Sequence, residues 1–311
     1  MNNNKKIFIL LIISIILILS CSNGLKYDGK LRWTAININS KQQQGDAHLI
    51  SKNNKYVLID AGHISYAKTK LLPYLRGNQV DHLDAVFISH PHIDHYGGVK
   101  ILFENNIKIN KLYMNLPTKM QMQKEWWGGK YQDLIDIQNL AKKQGTQVLS
   151  IKQGDKFIFD NSSYIEILYI YDGINTPVGE TDINDMSAIM MIHDGDNKFL
   201  LTGDLNSQLG EYLATHANNI QADILKSPHH GTEGFAPNSF FEKVSPNVLV
   251  VPSPKDLWCS ERSKRSRELS KKYHYQTFIN GFHGDITIIS YDNKYEVLTQ
   301  FEPKVICKGI K

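Results

Sequence analysis

Three histidines and an aspartate fall within six residues of this sequence, and they constrain the chain more than any other feature. They are His90, His92, Asp94 and His95, and they directly follow an apolar segment that is predicted to be a buried strand. With 12 histidines in 311 residues, this spacing arises by chance in roughly one such chain per thousand. His90 and His92 point to the same side wherever the backbone is still extended. Imidazole and carboxylate groups at this density predict a site for zinc or a similar divalent ion.

The rest of the body alternates short apolar segments with turn residues from residue 31 onward, and fewer helical segments lie between them. This pattern predicts an α/β architecture in which two sheets pack face to face with helices outside. No linker rich in proline, serine or glycine divides the body, so residues 31–311 are predicted to form one domain. A chain of 311 residues that is 41% hydrophobic is too apolar to be disordered.

The N-terminus has the three parts of an export signal. Two lysines precede a nearly unbroken apolar run over residues 7–19. This run is shorter than the roughly 20 residues that span a bilayer, which favours a signal peptide over the alternative of a short uncleaved anchor. Residues 18–21 (ILSC) resemble the lipobox of bacterial lipoproteins. The resemblance implies a signal peptide at residues 1–20, a tether at residues 21–30, and a lipidated Cys21 that holds the protein on the extracytoplasmic face of the cell membrane.

Charge and cysteine content narrow the function classes further. The formal net charge of +4 falls to about +2 once the two lysines of the export segment are removed, and a near-neutral domain gives little support to broad electrostatic binding of nucleic acid. Three cysteines are too few for a disulfide framework. Cys259 and Cys307 would be able to pair in an oxidising compartment, although separate thiols are favoured.

Together with the histidine motif, three further segments resemble the metallo-β-lactamase superfamily of dinuclear metallohydrolases. They are residues 58–62 (LIDAG), 200–204 (LLTGD) and 225–232 (LKSPHHGT). The forms QGDA at residues 44–47, TGD and HHGT are most similar to the hydrolase domain of ComEC-type competence proteins, and the teichoic-acid phosphorylcholine esterases are a related branch. The resemblance implies a four-layer αββα sandwich.

The resemblance also implies a ligand set for two divalent metal ions, with zinc favoured and manganese as the alternative. One metal would be held by His90 and His92, and the second by Asp94, His95 and His229, with Asp204 between them. Asp94 would also orient the nucleophile and accept its proton. His230 would contact a phosphate oxygen or protonate the leaving group, or else would support a neighbouring ligand without contacting the substrate.

One ligand of the superfamily pattern is missing. Many members supply a further histidine to the first metal, but residues 181–187 (TDINDMS) contain none. Asp185 or water would substitute, and a ligand set richer in oxygen would favour manganese. The missing histidine also favours phosphodiester over β-lactam hydrolysis.

The predicted function is therefore that of a lipid-anchored metallohydrolase that cleaves a phosphodiester, either single-stranded DNA or a small or envelope-bound phosphodiester. A β-lactamase-type amide hydrolase and a non-catalytic DNA-binding module for uptake are the alternatives. No obligate protein partner is implied. Trp126 and Trp127 would form a substrate wall or a seat for a quaternary amine, or else pack against the body. The basic residues near Arg265 would contact phosphates or form a solvated helix face.

Overall fold

The computed structural model describes residues 29–40 and 43–307 of the chain. Its strands are short and are separated by the turns that the sequence predicts. The fifteen strands in this part of the chain are β1 (Leu31–Ala35), β2 (His48–Lys52), β3 (Lys55–Ile59), β4 (His82–Phe87), β5 (Lys108–Tyr113), β6 (Gln147–Leu149), β7 (Lys156–Ile158), β8 (Ser163–Tyr169), β9 (Ile189–Asp194), β10 (Asn197–Leu201), β11 (Ile224–Lys226), β12 (Val248–Val251), β13 (Gln276–Ile279), β14 (Ile286–Tyr291) and β15 (Lys294–Thr299).

Helices are fewer and mostly short. The α-helices in the described residues are α1 (Ile64–Tyr66), α2 (Leu72–Gly77), α3 (Ile93–Tyr96), α4 (Gly98–Glu104), α5 (Lys119–Lys124), α6 (Tyr131–Lys143), α7 (Ser207–His216), α8 (Asn238–Val244), α9 (Lys255–Trp258), α10 (Lys264–Lys272) and α11 (Asn280–His283). A π-helical turn over Ala67–Leu71 joins α1 to α2. Four 3₁₀ turns lie at Trp126–Gly128, Ile183–Met186, Pro228–Gly231 and Glu261–Ser263.

The strands form two sheets. One has eight strands in the order β15-β14-β1-β2-β3-β4-β5-β6, and the other has seven in the order β13-β12-β11-β10-β9-β8-β7. Their inner faces bury one apolar cluster that includes Trp33, Phe87, Met190 and Phe199. A second cluster lies between the eight-stranded sheet and α2, α4 and α6, and a third lies between the seven-stranded sheet and α7, α8 and α10. The predicted four-layer αββα sandwich is therefore confirmed.

Strand burial explains why the chain divides into these layers. The residues of β4 contribute to two clusters, with Leu83 and Val86 packed under the helices and Ala85 and Phe87 packed between the sheets. A strand with apolar residues on both faces is stable only when both faces are covered. Each fully buried large apolar side chain contributes about 1.5–3 kcal/mol to folding. The sandwich is therefore the arrangement that removes both faces of the central strands from water.

Cys259 and Cys307 form a disulfide bond, with a Cα–Cα distance of 5.3 Å. The prediction that favoured separate thiols is therefore wrong. Cys259 follows α9 and Cys307 lies beyond β15, the edge strand of the eight-stranded sheet, but both side chains lie in the apolar cluster on the helical face of the seven-stranded sheet. The two cysteines are 48 residues apart in the sequence. Their proximity depends on the packing of the folded chain, so the sequence alone does not reveal it.

The predicted export segment and Cys21 lie outside the described residues. Within residues 29–40 and 43–307, no helix combines the length and the apolar composition needed to cross a membrane.

Candidate metal centre

The predicted site residues meet where both sheets end. Parallel β3 and β4 of one sheet, and β10 and parallel β11 of the other, present their carboxyl ends at one edge of the sandwich. Asp60 follows β3, the histidine motif follows β4, Asp204 follows β10, and Lys226 is the last residue of β11. Short loops after strand ends are where α/β folds place ligand-binding groups on a rigid base.

His95 is completely buried among four carboxylates, of which Asp46 lies 4.0 Å from its Nδ1. Its Nε2 lies 3.3 Å from Oδ2 of Asp204 and 4.0 Å from Oδ1 of Asp94, and its Nδ1 lies 2.8 Å from Oδ2 of Asp60. Burial alone would lower the pKa of His95, but Asp204, Asp60 and Asp94 together raise it well above its ordinary value. Asp60 also accepts hydrogen bonds from the backbone N–H and hydroxyl of Ser89, each 2.7 Å long. Its carboxylate therefore fixes the ring of His95 to the strand ends.

His230 approaches the same point from the opposite sheet. Its Nε2 lies 3.2 Å from Oδ2 of Asp204 and 3.4 Å from Oδ2 of Asp94, while its Nδ1 lies 3.2 Å from Oδ1 of Asp46. Burial opposes protonation here too, but Asp204 and Asp46 raise the pKa of His230 well above its ordinary value. Four carboxylates thus make this edge strongly attractive to a cation.

The donor set fits a divalent metal ion. Asp94, His95, Asp204 and His230 each offer a ligand atom, and these atoms lie within 4.8 Å of one another. Among the described residues, Nε2 of His95 and Nε2 of His230 are buried without a hydrogen-bond partner, although both lie close to Asp204. A buried polar atom without a partner is costly. Two imidazole nitrogens directed at shared carboxylates are a ligand combination that zinc accepts.

His229 lies beside this group but outside it. The sequence assigned His229 to the second metal and His230 to catalysis, whereas the structure brings Asp94, His95 and Asp204 together with His230. Two consecutive left-handed residues cause the difference, with φ of 48° at His229 and 54° at His230. His230 is turned into the protein and His229 toward a solvent-filled cleft. Such backbone strain in residues other than glycine is concentrated at functional sites.

His90 and His92 adjoin this group without belonging to it. Nε2 of His90 lies 3.2 Å from Nδ1 of His92, and Nε2 of His92 lies 3.0 Å from Oε2 of Glu125. Burial, reinforced by neighbouring His95, holds the pKa of His90 well below its ordinary value. A neutral imidazole is the form that binds a metal. The pair is therefore suited to act as ligands, with the carboxylate of Glu125 orienting His92.

Asp185, the predicted substitute for the missing histidine, is directed elsewhere. Its Oδ1 accepts a hydrogen bond of 2.9 Å from the backbone N–H of Asn206, two residues beyond Asp204. Burial raises the pKa of Asp185 to about 7, and the nearby carboxylate of Asp182 adds to the effect. Among the described residues, Asp185 belongs to no group of three candidate ligands. It supports the loop that carries Asp204.

Lys226 and Asp46 lie at the centre but were assigned no role from the sequence. Nζ of Lys226 is buried 2.5 Å from Oδ2 of Asp46 and 3.4 Å from Oδ1 of Asp204, and it donates to the carbonyl of Gly203 over 2.7 Å. Burial alone would lower the pKa of Lys226, but Asp46 and Asp204 raise it. Lys226 is therefore a fixed positive charge that neutralises part of the carboxylate cluster and holds one oxygen of Asp204.

A cleft above the centre gives access from solvent. It encloses about 220 Å³ and is lined by aspartate and histidine side chains, by side-chain amides and by one tryptophan. Its lining includes His92, Asp94, Asp204, His229 and Trp127. A reactant in this cleft would contact the candidate ligands directly.

The basic residues near α10 are engaged in the protein. Arg262 pairs with Glu233 at 2.8 Å, and Arg265 donates to the carbonyl of Phe235 over 2.7 Å. Arg267 donates to the carbonyls of Trp258 and Ser260. Arg265 and Arg267 therefore brace neighbouring loops, whereas the pair of Arg262 with Glu233 is exposed to solvent.

Residues 41–164 match the sequence model of the family described as the metallo-β-lactamase superfamily. Among solved structures, the chain is similar to the metallo-β-lactamase fold protein YhfI from Bacillus subtilis. The TM-score is 0.54 and the sequence identity 16%, and the alignment covers 84% of this chain and 100% of that chain. The chain has the metallo-β-lactamase fold.

Curated proteins that the chain resembles are larger than the chain. ComE operon protein 3 of Bacillus subtilis is 21% identical over 277 residues, which cover 84% of this chain and 33% of the relative. Competence protein ComA of Neisseria gonorrhoeae is 23% identical over 212 residues, which cover 68% of this chain and 26% of the relative. The chain therefore spans a third or less of the length of these relatives. The predicted similarity to ComEC-type competence proteins is confirmed.

Proposed function

We propose that this protein is a metal-dependent phosphodiesterase that cleaves single-stranded nucleic acid. The observation that carries the proposal is the convergence of Asp94, His95, Asp204 and His230 on one point below an open cleft. Superfamily members are mostly metal-dependent hydrolases, and the similarity to competence proteins favours a nucleic-acid substrate. β-Lactam hydrolysis has no comparable support among the described residues, because residues 181–187 supply no histidine to a first metal.

We assign the second metal to Asp94, His95 and His230, and the first to His90 and His92, with Asp204 shared between them. Zinc or manganese bound there would acidify a water molecule and stabilise the charge that develops on the phosphate. His230 takes the place that the sequence analysis gave to His229 as a ligand of the second metal, because His230 is the histidine that joins Asp94, His95 and Asp204.

The remaining groups move protons and orient the substrate. The side chain of Asp94 is 19% exposed and reaches the cleft, where its carboxylate orients the attacking water and accepts its proton. His229 lines the same cleft, and its Nδ1 is buried without a hydrogen-bond partner among the described residues. Burial lowers the pKa of His229. Its neutral imidazole is in position to contact a phosphate oxygen.

Hydrolysis of a fluorescent oligothymidylate by residues 22–311 tests the enzymatic proposal. We expect cleavage with zinc or manganese, no cleavage after treatment with EDTA, and recovery when metal is restored. A β-lactam chromophore should remain intact under the same conditions. Tight binding of the oligonucleotide without cleavage at full metal occupancy would instead identify a DNA-binding module. Cleavage of the β-lactam alone would also contradict the phosphodiesterase proposal.

We also propose that the protein is exported and attached to the outer face of the cell membrane through Cys21. The disulfide supports the export. Disulfides persist in oxidising compartments and are rare in the reducing cytosol, and Cys259 and Cys307 are paired. An exported, lipid-anchored chain is consistent with this chemistry.

Fractionation of cells that express the full chain tests the anchor. We expect the wild-type protein in the membrane fraction with a mass that lacks residues 1–20, because Cys21 then carries the lipid. Cys21→Ser should abolish lipidation. Membrane association of this variant with an unchanged mass relative to wild type would show an uncleaved anchor and contradict the proposal.

A further inference from the structure

Two large aromatic side chains stand in solvent beside the metal centre. Trp126 is 77% exposed and Trp127 is 62% exposed, and both lie on the 3₁₀ turn Trp126–Gly128 that follows α5. Their rings are nearly perpendicular, with an interplanar angle of 80° and centroids 6.1 Å apart. Tryptophan is largely buried on average. Two adjacent exposed rings therefore indicate a contact surface and do not serve packing within the domain.

The turn that carries these rings is fixed at its beginning. Glu125 precedes Trp126 and is 8% exposed. One of its oxygens, Oε1, accepts a hydrogen bond of 2.8 Å from the backbone N–H of Ile183, and the other, Oε2, lies 3.0 Å from Nε2 of His92. Both carboxylate oxygens are thus used to tie the turn to a candidate metal ligand and to the loop before β9.

Two glycines fix the end of the turn just as closely. A Cβ atom at Gly128 would lie 2.3 Å from Cδ2 of His92, and one at Gly129 would lie 2.2 Å from the hydroxyl of Tyr96. Gly129 also has a φ of 120°. Only glycine permits these approaches, so the backbone lies flush against His92 while the indole rings point outward. An exposed ring on a fixed backbone is pre-organised for binding.

Trp127 lines the cleft of the metal centre together with groups that suit a nucleotide. The same cleft is lined by Asp204 and His229, where the scissile phosphate would lie, and by the amides of Gln43, Gln44 and Asn184. A planar aromatic surface next to amide donors and acceptors is the combination that binds an unpaired base by stacking and hydrogen bonding.

Charge around the turn favours a polyanion over a quaternary amine. Lys124 and Lys130 flank the turn, and Lys124 also pairs with Glu180 at 2.9 Å. The carboxylate of Glu125 is buried and engaged through both oxygens. A cage for a quaternary amine benefits from an available negative charge, but the carboxylates of this cleft, Asp94 and Asp204, are assigned to metal in the proposed function, whereas Lys130 would attract a phosphate backbone.

We propose that Trp127 stacks on an unpaired base next to the scissile phosphate and thereby selects single-stranded nucleic acid. This inference rests on the proposed function and names a specificity-determining residue for it. A base in a duplex is already stacked on its neighbours and must be released at a cost before it can contact the indole. The ring of Trp127 therefore discriminates between paired and unpaired strands and between strands with and without bases.

A comparison of two strands of equal charge tests the inference. One is an oligothymidylate, and the other is the same phosphodiester backbone with abasic tetrahydrofuran residues in place of the nucleosides. We expect the wild-type protein to have a KM for oligothymidylate that is on the order of 10- to 100-fold lower than for the abasic strand. In Trp127→Ala this preference should fall towards one, whereas Trp127→Phe, which retains an aromatic ring, should retain part of it.

The outcomes separate stacking from the phosphodiesterase activity itself. If Trp127→Ala cleaves both strands but keeps the wild-type preference, Trp127 does not stack on the base and the inference is wrong. If the wild-type protein cleaves neither strand, the proposed function fails. The stacking inference is then tested separately, by measuring the binding of oligothymidylate to the metal-free protein by fluorescence anisotropy. Weaker binding by Trp127→Ala than by wild type would then support stacking, and equal binding would overturn it.

Discussion

Replacement of His95 by alanine is expected to reduce metal-dependent hydrolysis by on the order of 10³-fold or more. The imidazole lies between Asp204, Asp94 and Asp60 and is completely buried. Without it, the site loses a nitrogen ligand and leaves carboxylates that repel one another. Metal content after dialysis against zinc or manganese should fall together with kcat. Both quantities are measurable on the same sample, by elemental analysis and by oligonucleotide cleavage.

His216→Ala is the matched control, because it also removes one imidazole. His216 is exposed at the C-terminal end of α7, where it stacks on Tyr212, and among the described residues it belongs to neither group of candidate metal ligands. The control should bind metal and cleave as the wild type does. Circular dichroism would establish that His95→Ala is folded. A folded His95→Ala variant with wild-type metal content and wild-type turnover would rule out the proposed centre.

Replacement of Lys226 by methionine is expected to lower the free energy of unfolding of the metal-free protein by about 3–5 kcal/mol. The ammonium group is fully buried and contacts Asp46, Asp204 and the carbonyl of Gly203. Methionine fills similar space but leaves two buried carboxylates without their counter-charge. Urea unfolding in the presence of EDTA measures the loss. Zinc should stabilise Lys226→Met more than it stabilises the wild type, because a bound cation replaces part of the missing charge.

Two further variants separate charge compensation from general damage to the core. Adding Asp46→Asn to Lys226→Met removes one of the uncompensated charges and should restore much of the lost stability. Lys100→Met removes an exposed lysine that pairs with Glu104 at 3.8 Å, and it should cost less than about 1 kcal/mol. If Lys226→Met is no less stable than Lys100→Met, the ammonium does not hold the cluster together.

Much of the site could be predicted because its residues are close in sequence. Asp94 and His95 lie in one six-residue motif, and Asp204 follows a recognisable apolar strand. The layered architecture was predictable for a related reason, since alternating and continuous apolar segments indicate which strand faces are covered. Both signals lie within short stretches of sequence, so they do not depend on how distant parts of the chain pack together.

The contributions of Lys226, Asp46 and Glu125 could not be predicted, because each depends on a partner that is distant in sequence. Lys226 and Asp46 are 180 residues apart and meet only when the two sheets are packed. One signal was present, since Lys226 ends the apolar segment Ile224–Lys226, where a lysine must find a buried counter-charge. The sequence could not distinguish the roles of His229 and His230 for a different reason. Adjacent histidines are chemically identical in sequence, and only their left-handed backbone decides which one faces inward.

The bond between Cys259 and Cys307 attaches the segment that follows β15, the edge strand of the eight-stranded sheet, to the helical face of the seven-stranded sheet, where Cys259 follows α9. Residues 300–307 follow the last strand, and the exposed side chains of Phe301 and Val305 bury little there. The disulfide therefore crosslinks this segment to the helical face of the seven-stranded sheet, where Cys307 is buried. Because disulfides persist in oxidising surroundings and are rare in reducing ones, we expect residues 300–307 to be held less firmly in a reducing compartment.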